Sequence, residues 1–220
     1  FLLSQLTASA QSFTFTATEV SVNPLLNGTL LLPDGVEKPP LVIVIAGSGP
    51  TDRNGNQPMM QNNSLKYLAE ALSKNGLATF RFDKRIIAQM RDGTIDENSL
   101  SFDDFVDDVK TIVWYFYPTY PQIFLAGHSE GALIGTLAAH EKVAGFISIS
   151  GAGRPIDLIL QEQIGQQAPY LVEEMRINFG LLRDGKPIER VNPNLISIFR
   201  PSVQNYMRSW LKYHPTEELE

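Results

Sequence analysis

From Leu41 to Ala46 the chain reads Leu-Val-Ile-Val-Ile-Ala, and it breaks at once into Gly47-Ser48-Gly49-Pro50. A β-branched run that does not alternate with polar residues marks a strand covered on both faces, the kind found in parallel sheets. Parallel neighbours cannot be joined by a tight turn; they need a crossover of a dozen or more residues, usually a helix. That one segment therefore asks the rest of the chain for helices on two sides of a sheet.

The remaining pattern supplies them. Phe13 to Val22 alternates and is rich in Thr, which predicts a strand. A turn at Pro24, followed by Asn27-Gly28, leads into Thr29-Leu30-Leu31-Leu32 as its hairpin partner. Pro33-Asp34-Gly35 makes a further turn, and Pro39-Pro40 stops any helix. Leu65, Leu68, Ala69 and Leu72 form a helical stripe that Asn75-Gly76 ends, and Leu77 to Phe82 is the next strand. After a polar loop, Ser101 and Asp104 have the spacing of a capping box. The apolar face then continues through Phe105, Val109, Ile112 and Phe116 until Pro118 and Pro121. Gln122–Ala126 reads as a strand, Glu130–Glu141 as a helix and Val143–Ser150 as a strand. Strand and helix alternate, so the fold class is α/β, with a mainly parallel sheet and helices on both faces. From Arg154 the pattern turns helical: Ile156–Gln167, Tyr170–Leu182 and Leu195–Tyr213, separated by Pro169, Asp184-Gly185 and Pro193.

Gly127-His128-Ser129-Glu130-Gly131 falls between a short apolar strand and a helix. This is the Gly-x-Ser-x-Gly pattern in the context that gives it chemical meaning. A nucleophilic serine has to stand on a tight strand-to-helix turn with strained dihedrals, so the residues two places away must lack side chains. Gly127 and Gly131 meet that need, and the helix N-terminus beneath favours the negative charge of a tetrahedral intermediate. Ser129 is the candidate catalytic residue. His128 is adjacent in sequence, where side chains on a tight turn point apart. It is read as packing or orientation, while His140 and His214 are read as surface residues. Three scattered histidines make no metal cluster.

Composition narrows the function classes. The 220 residues carry a net charge of −6 and no basic stripe that could track phosphates, which argues against a nucleic-acid partner. Without cysteine there is no disulfide, thiolate metal site or cysteine nucleophile. Phe1 to Gln11 has two readings: the end of a signal peptide with a small-x-small site at Ala8-Ser9-Ala10, or a short amphipathic helix. The first implies export to the periplasm or medium, the second leaves a cytoplasmic location. No other segment is apolar for long enough to span a bilayer.

These residues together resemble a bacterial α/β-hydrolase family, the serine aminopeptidase-like and small-acyl esterase group, over roughly Thr16 to Glu220. Gly47-Ser48-Gly49-Pro50-Thr51-Asp52-Arg53-Asn54-Gly55 is similar to that family's Gly-Ser-Gly-Pro-x-Asp-Arg-Asp-Gly loop. Gly127-His128-Ser129-Glu130-Gly131-Ala132 is similar to its Gly-His-Ser-Glu-Gly-Gly. Arg81-Phe82-Asp83-Lys84-Arg85 is similar to its Arg-x-Asp-x-Arg-Gly, with Ile86 in place of the glycine; such charges more often brace loops than do chemistry. The resemblance implies an oxyanion hole made by the N–H groups of Ser48 and Glu130, with Gly47, Gly49, Asp52 and Arg53 supporting the loop. The chain then divides into four regions: 1–12, a signal-peptide remnant on the export reading, and, as the resemblance implies, an α/β-hydrolase core at 13–153, a helical cap at 154–214, and a lead-in at 215–220 to further core strands. In this fold the catalytic acid and His follow the nucleophile, so both are expected beyond Glu220, with Asp157 as a displaced acid less in keeping than a place in the cap.

The implied activity is hydrolysis of carboxylic esters through an acyl-enzyme on Ser129, with a small-molecule ester as partner and no metal or organic cofactor. A peptidase or amidase of the same fold, or a binding protein on the same scaffold, are the alternatives. Oligomeric state is left open.

Overall fold

The computed structural model describes residues 12–120 and 122–219. Phe1 to Gln11, on which the export reading falls, lie outside the described residues. Among the described residues no helix is long and apolar enough to cross a membrane.

Six strands form one sheet: β1 (Phe15–Asn23), β2 (Leu26–Pro33), β3 (Leu41–Ile45), β4 (Ala78–Phe82), β5 (Ile123–His128) and β6 (Gly145–Ile149). Their order across the sheet is β1-β2-β4-β3-β5-β6. β1–β2 and β2–β4 pair antiparallel, whereas β4–β3, β3–β5 and β5–β6 pair parallel. The parallel half is reached through helices α1 (Ser64–Lys74), α2 (Arg85–Asp92), α3 (Phe102–Phe116) and α4 (Glu130–Ala138).

β3 shows why its sequence does not alternate. Leu41, Ile43 and Ile45 join the larger core, which includes Phe80 of β4, Ile112 and Phe116 of α3, and Ile134 of α4. Val42 and Val44 face the other way, onto a second core with Leu65 of α1. Successive side chains leave a strand on opposite faces, so a strand with helices on both sides needs apolar residues at every position. α3 begins with the expected box: the Ser101 hydroxyl accepts from the Asp104 N–H, and the Asp104 carboxylate accepts from the Ser101 N–H at 2.7 Å.

Two local readings of the sequence need correction. The stretch between Phe82 and Ser101 is not all loop: α2 occupies Arg85–Asp92 and ends on a left-handed Gly93. Only Ala88 of this helix is buried, so it has no core-facing stripe to betray it. The hairpin turn is at Pro24-Leu25, as the sequence reading has it, with the Asn23 carboxamide oxygen accepting from the N–H groups of Leu25 and Leu26; β2 starts directly after it and takes in Asn27-Gly28. The third helical stretch, Leu195–Tyr213, is divided. α7 (Ile196–Phe199) stops at Arg200, which is extended (ψ 147°) ahead of Pro201, and α8 (Gln204–Trp210) follows. Clash with the proline ring keeps the preceding residue out of the helical region.

Before these come α5 (Ile156–Gly165) and α6 (Val172–Arg183). Asp157, buried on α5, pairs with Arg183 at the end of α6 at 2.9 Å, so it joins two helices. The segment 196–213 is fastened to the start of α3 and the loop before it. Arg200 makes two hydrogen bonds to the Glu97 carboxylate, at 3.0 and 2.7 Å, and the Ser202 hydroxyl donates a third at 2.6 Å. Lys212 pairs with Asp103, and Phe102 stacks on Trp210.

Candidate active site

Ser129 follows the last residue of β5 and precedes the first of α4, with φ 54° and ψ −116°. Positive φ is costly for a residue with a Cβ, and here it is imposed by close packing of backbone on both sides. A Cβ on Gly127 would stand 2.0 Å from the Gly131 carbonyl oxygen, and one on Gly131 would stand 2.5 Å from that of Ala46. Neither position has room for a side chain. The turn is held further by the Ser129 N–H, which donates to the Ile149 carbonyl at the end of β6 (2.9 Å). The resulting serine is exposed, while the next residue, Glu130, is buried.

β3 and β5 are parallel neighbours in register, Ile45 opposite Gly127. Ser48 and Ser129 therefore emerge from adjacent strand ends on the same, C-terminal edge of the sheet, where open α/β sheets bind ligands. Gly47 lies against the elbow: a Cβ there would be 3.1 Å from His128 Nδ1 and 3.4 Å from Ser129 Cβ.

The loop after β3 is pinned along its length. The Ser48 carbonyl accepts from Gln57 Nε2 (2.7 Å) and from the Thr51 hydroxyl (3.2 Å). The Asp52 carboxylate accepts from the N–H groups of Asn54 and Asn56, both at 2.8 Å, folding the loop tip on itself. Arg53 reaches away to Asp83, with its own N–H on Oδ1 at 2.8 Å and Nη2 on Oδ2 at 2.7 Å, and to Glu19 and Thr29 of the hairpin. Burial alone would make the Arg53 guanidinium easier to deprotonate; the hydrogen bonds and charges of Asp83 and Glu19 together outweigh it and raise its pKa. Gly49 holds φ 90°, a left-handed conformation that suits glycine.

Asp83, Lys84 and Arg85 each brace a different part. Arg85 forks onto Asp108 (2.8 Å to each oxygen) and reaches Asp104 at 2.7 Å, tying α2 to α3. Lys84 is buried, with Nζ 2.8 Å from Glu130 Oε1, 3.2 Å from the Gly47 carbonyl and 4.4 Å from the Phe105 ring centre. The Tyr206 hydroxyl, from α8, is pushed well above the ordinary phenol range by burial and then by the Glu130 carboxylate.

Above Ser129 opens a cavity of about 670 Å³. Ser48, Ser129, Lys84 and Glu130 form its floor, and apolar side chains of α2, α5, α7 and α8 form much of the rest, among them Ile86, Ile159, Ile198 and Trp210. Its two carboxylates are both paired, Glu130 with Lys84 and Glu97 with Arg200. Among the described residues none of the three histidines lines it. His128 lies beside Gly47, His140 stacks on Trp114, and His214 sits 3.9 Å from Glu217.

Ser129, Glu130, Ser48 and the two elbow glycines, all singled out in the sequence, thus meet at one place, and Gly47, Gly49, Asp52 and Arg53 shape the loop beside it. The sequence reading missed the bridging position of Lys84 and the α2 wall. Ile86, standing where the resembling family has glycine, lies in the first turn of α2 and lines the cavity.

The chain is 26% identical over 152 residues to Esterase EstD of Thermotoga maritima, and spans 68% of itself but 36% of that protein's length. Among solved structures it is similar to the α/β hydrolase GrgF from Penicillium sp. sh18, with a TM-score of 0.52 and 15% identity over 94% of this chain and 77% of that one. Dienelactone hydrolase from Anabaena variabilis matches at a TM-score of 0.47 and 22% identity, over 67% of this chain and 66% of that one. The fold is that of the α/β-hydrolases, and since the family model described as serine aminopeptidase, S33 matches residues 61–199, more than half of the sequence, the chain belongs to that family.

Proposed function

We propose that this protein hydrolyses carboxylic esters through an acyl-enzyme on Ser129. The observation that carries the reading is the elbow: an exposed serine at φ 54°, on a strand-to-helix turn at the mouth of a largely apolar cavity. In the proposed reaction the Ser129 hydroxyl attacks the acyl carbon and the ester carbonyl oxygen becomes an oxyanion. The N–H groups of Ser48 and Glu130 receive that charge, with the α4 N-terminus behind it. The alcohol leaves, and water then cleaves the acyl-enzyme. The acyl group lies among Ile86, Ile159, Ile198 and Trp210, so helices α5 to α8 act as a cap. A cavity of about 670 Å³ has room for more than an acetyl group. The base and the acid that orients it are proposed to come from outside residues 1–220, since no histidine of the described chain lines the cavity.

Ester cleavage is preferred to removal of an N-terminal amino acid because the cavity is largely apolar and, among the described residues, each of its two carboxylates already faces a cation of this chain, Glu130 with Lys84 and Glu97 with Arg200. The test uses the full-length protein with p-nitrophenyl esters of increasing acyl length and with aminoacyl p-nitroanilides. Ester turnover should exceed anilide turnover and improve beyond acetyl. Ser129→Ala should lower kcat/KM by about 10³-fold or more. An alanine variant that keeps its activity would remove Ser129 from the reaction.

A further inference from the structure

Lys84 belongs to the group of charges that braces loops in the resembling family, yet its contacts differ from those of its neighbours. It is buried at the cavity floor and touches both elements assigned to the oxyanion hole. Resting on that assignment, we infer that Lys84 is a positioning residue that sets the direction and spacing of the two oxyanion N–H groups.

The argument turns on peptide geometry. The Gly47 carbonyl and the Ser48 N–H belong to one peptide unit, planar and trans, so they point in opposite directions. Lys84 Nζ donates to that carbonyl at 3.2 Å. Holding the oxygen toward Lys84 holds the Ser48 N–H away from it. Without a donor at that place the peptide could rotate about ψ of Gly47 and φ of Ser48, and the absence of a side chain on Gly47 makes such rotation inexpensive. The carbonyl on the far side of Ser48 is already fixed by Gln57 and Thr51, so Lys84 completes the restraint.

The same ammonium group is paired with Glu130 Oε1 at 2.8 Å, and the Glu130 backbone supplies the second N–H. The two donors sit on separate elements, the loop after β3 and the start of α4. Lys84 joins them from a third, the end of β4. Preorganised donors help catalysis because they need not reorient as charge develops, and small misplacements lose much of that help. A positive charge on the carbonyl also polarises the peptide and strengthens its N–H as a donor.

Lys84→Met keeps the length and apolar stem of the side chain and removes the charge and donors. In the full-length protein, kcat/KM for a p-nitrophenyl ester should fall about 10- to 100-fold, less than the loss of a whole oxyanion donor. Affinity for a boronic acid, whose tetrahedral adduct on serine mimics the oxyanion, should fall in parallel. Binding of the product carboxylic acid should stay within about twofold, and Lys84→Arg should recover part of both losses. A bystander role in stability would lower melting temperature without moving the boronate and product affinities apart; that outcome, or unchanged kcat/KM, overturns the inference. Should Lys84→Met not fold, Glu130→Gln decides by the same two affinities, with the same divergence expected. Fluorophosphonate labelling of wild-type Ser129 separates the two levels: a labelled Ser129 with Lys84→Met unaffected sinks the role of Lys84 alone, and an unlabelled Ser129 sinks the site and this role with it.

Discussion

At φ 54° and ψ −116°, Ser129 occupies a backbone region that L-residues avoid and glycine enters freely. The packed backbones of Gly127, Gly131 and Ala46 leave the turn no softer path, so the strain is held by the surrounding sheet. Ser129→Gly should therefore raise the unfolding free energy by about 1–2 kcal/mol while abolishing ester cleavage, as read by urea denaturation beside an activity assay. The opposite exchange next door has the opposite sign. Gly127→Ala would drive a methyl group to 2.0 Å from the Gly131 carbonyl, and should cost about 3 kcal/mol or leave the protein insoluble. At this scale the sequence was unusually legible, because glycines forced by backbone contact cannot be replaced without trace. Lys84 was not legible in the same way. A lysine in a charged run looks the same whether it faces water or a buried carboxylate.

Elements were readable where one apolar face had to meet the core. α1 and α3 carry such faces, and α3 also has its box: Ser101→Ala should lower stability by about 1 kcal/mol, measured by thermal or urea unfolding, without altering the ester rate. α2 was missed because its apolar residues are asked to line a cavity and not to fill a core: Ile86 and Met90, one turn apart, face the pocket. A helix that serves a binding site can thus pass for a polar loop. The run from Leu195 to Tyr213 failed for a different reason. Its apolar spacing persists across Pro201, and only the local rule for a residue before proline divides it into α7 and α8.

For the molecule as a whole, the sheet and its crossovers followed from the sequence, and so did the meeting of the β3 loop with the elbow. How the later helices fasten onto the core did not, because those contacts join residues about a hundred positions apart. Glu97 with Arg200 is the clearest of them, and it makes the fastening sensitive to acid. Hydrogen bonds from Arg200, against the smaller opposing effect of burial, hold the Glu97 carboxyl below its ordinary value of 4.5. A group whose pKa is lowered by folding adds stability above its unfolded value and loses it as pH falls through the folded one. Acidification below about pH 4.5 should thus lower the amide hydrogen-exchange protection factors, taken against the intrinsic rate at each pH, in residues 196–210 before it affects β3 and β5. Glu97→Gln should flatten that pH dependence; an unchanged profile would assign it to other carboxylates.

The cavity has a floor from the sheet edge, one wall from α2, and the rest of its walls from helices that arrive later in the chain. Residues that line the upper part of the cavity, such as Ile159, Ile198 and Trp210, are therefore separate from those that fix Ser129 and Ser48. Selection can act on the two sets at different tempos. On the proposed ester reading, mutations on α5, α7 or α8 would exchange one acyl preference for another while the strand ends keep their geometry, so a lineage with this architecture could diversify its substrates without passing through inactive ancestors.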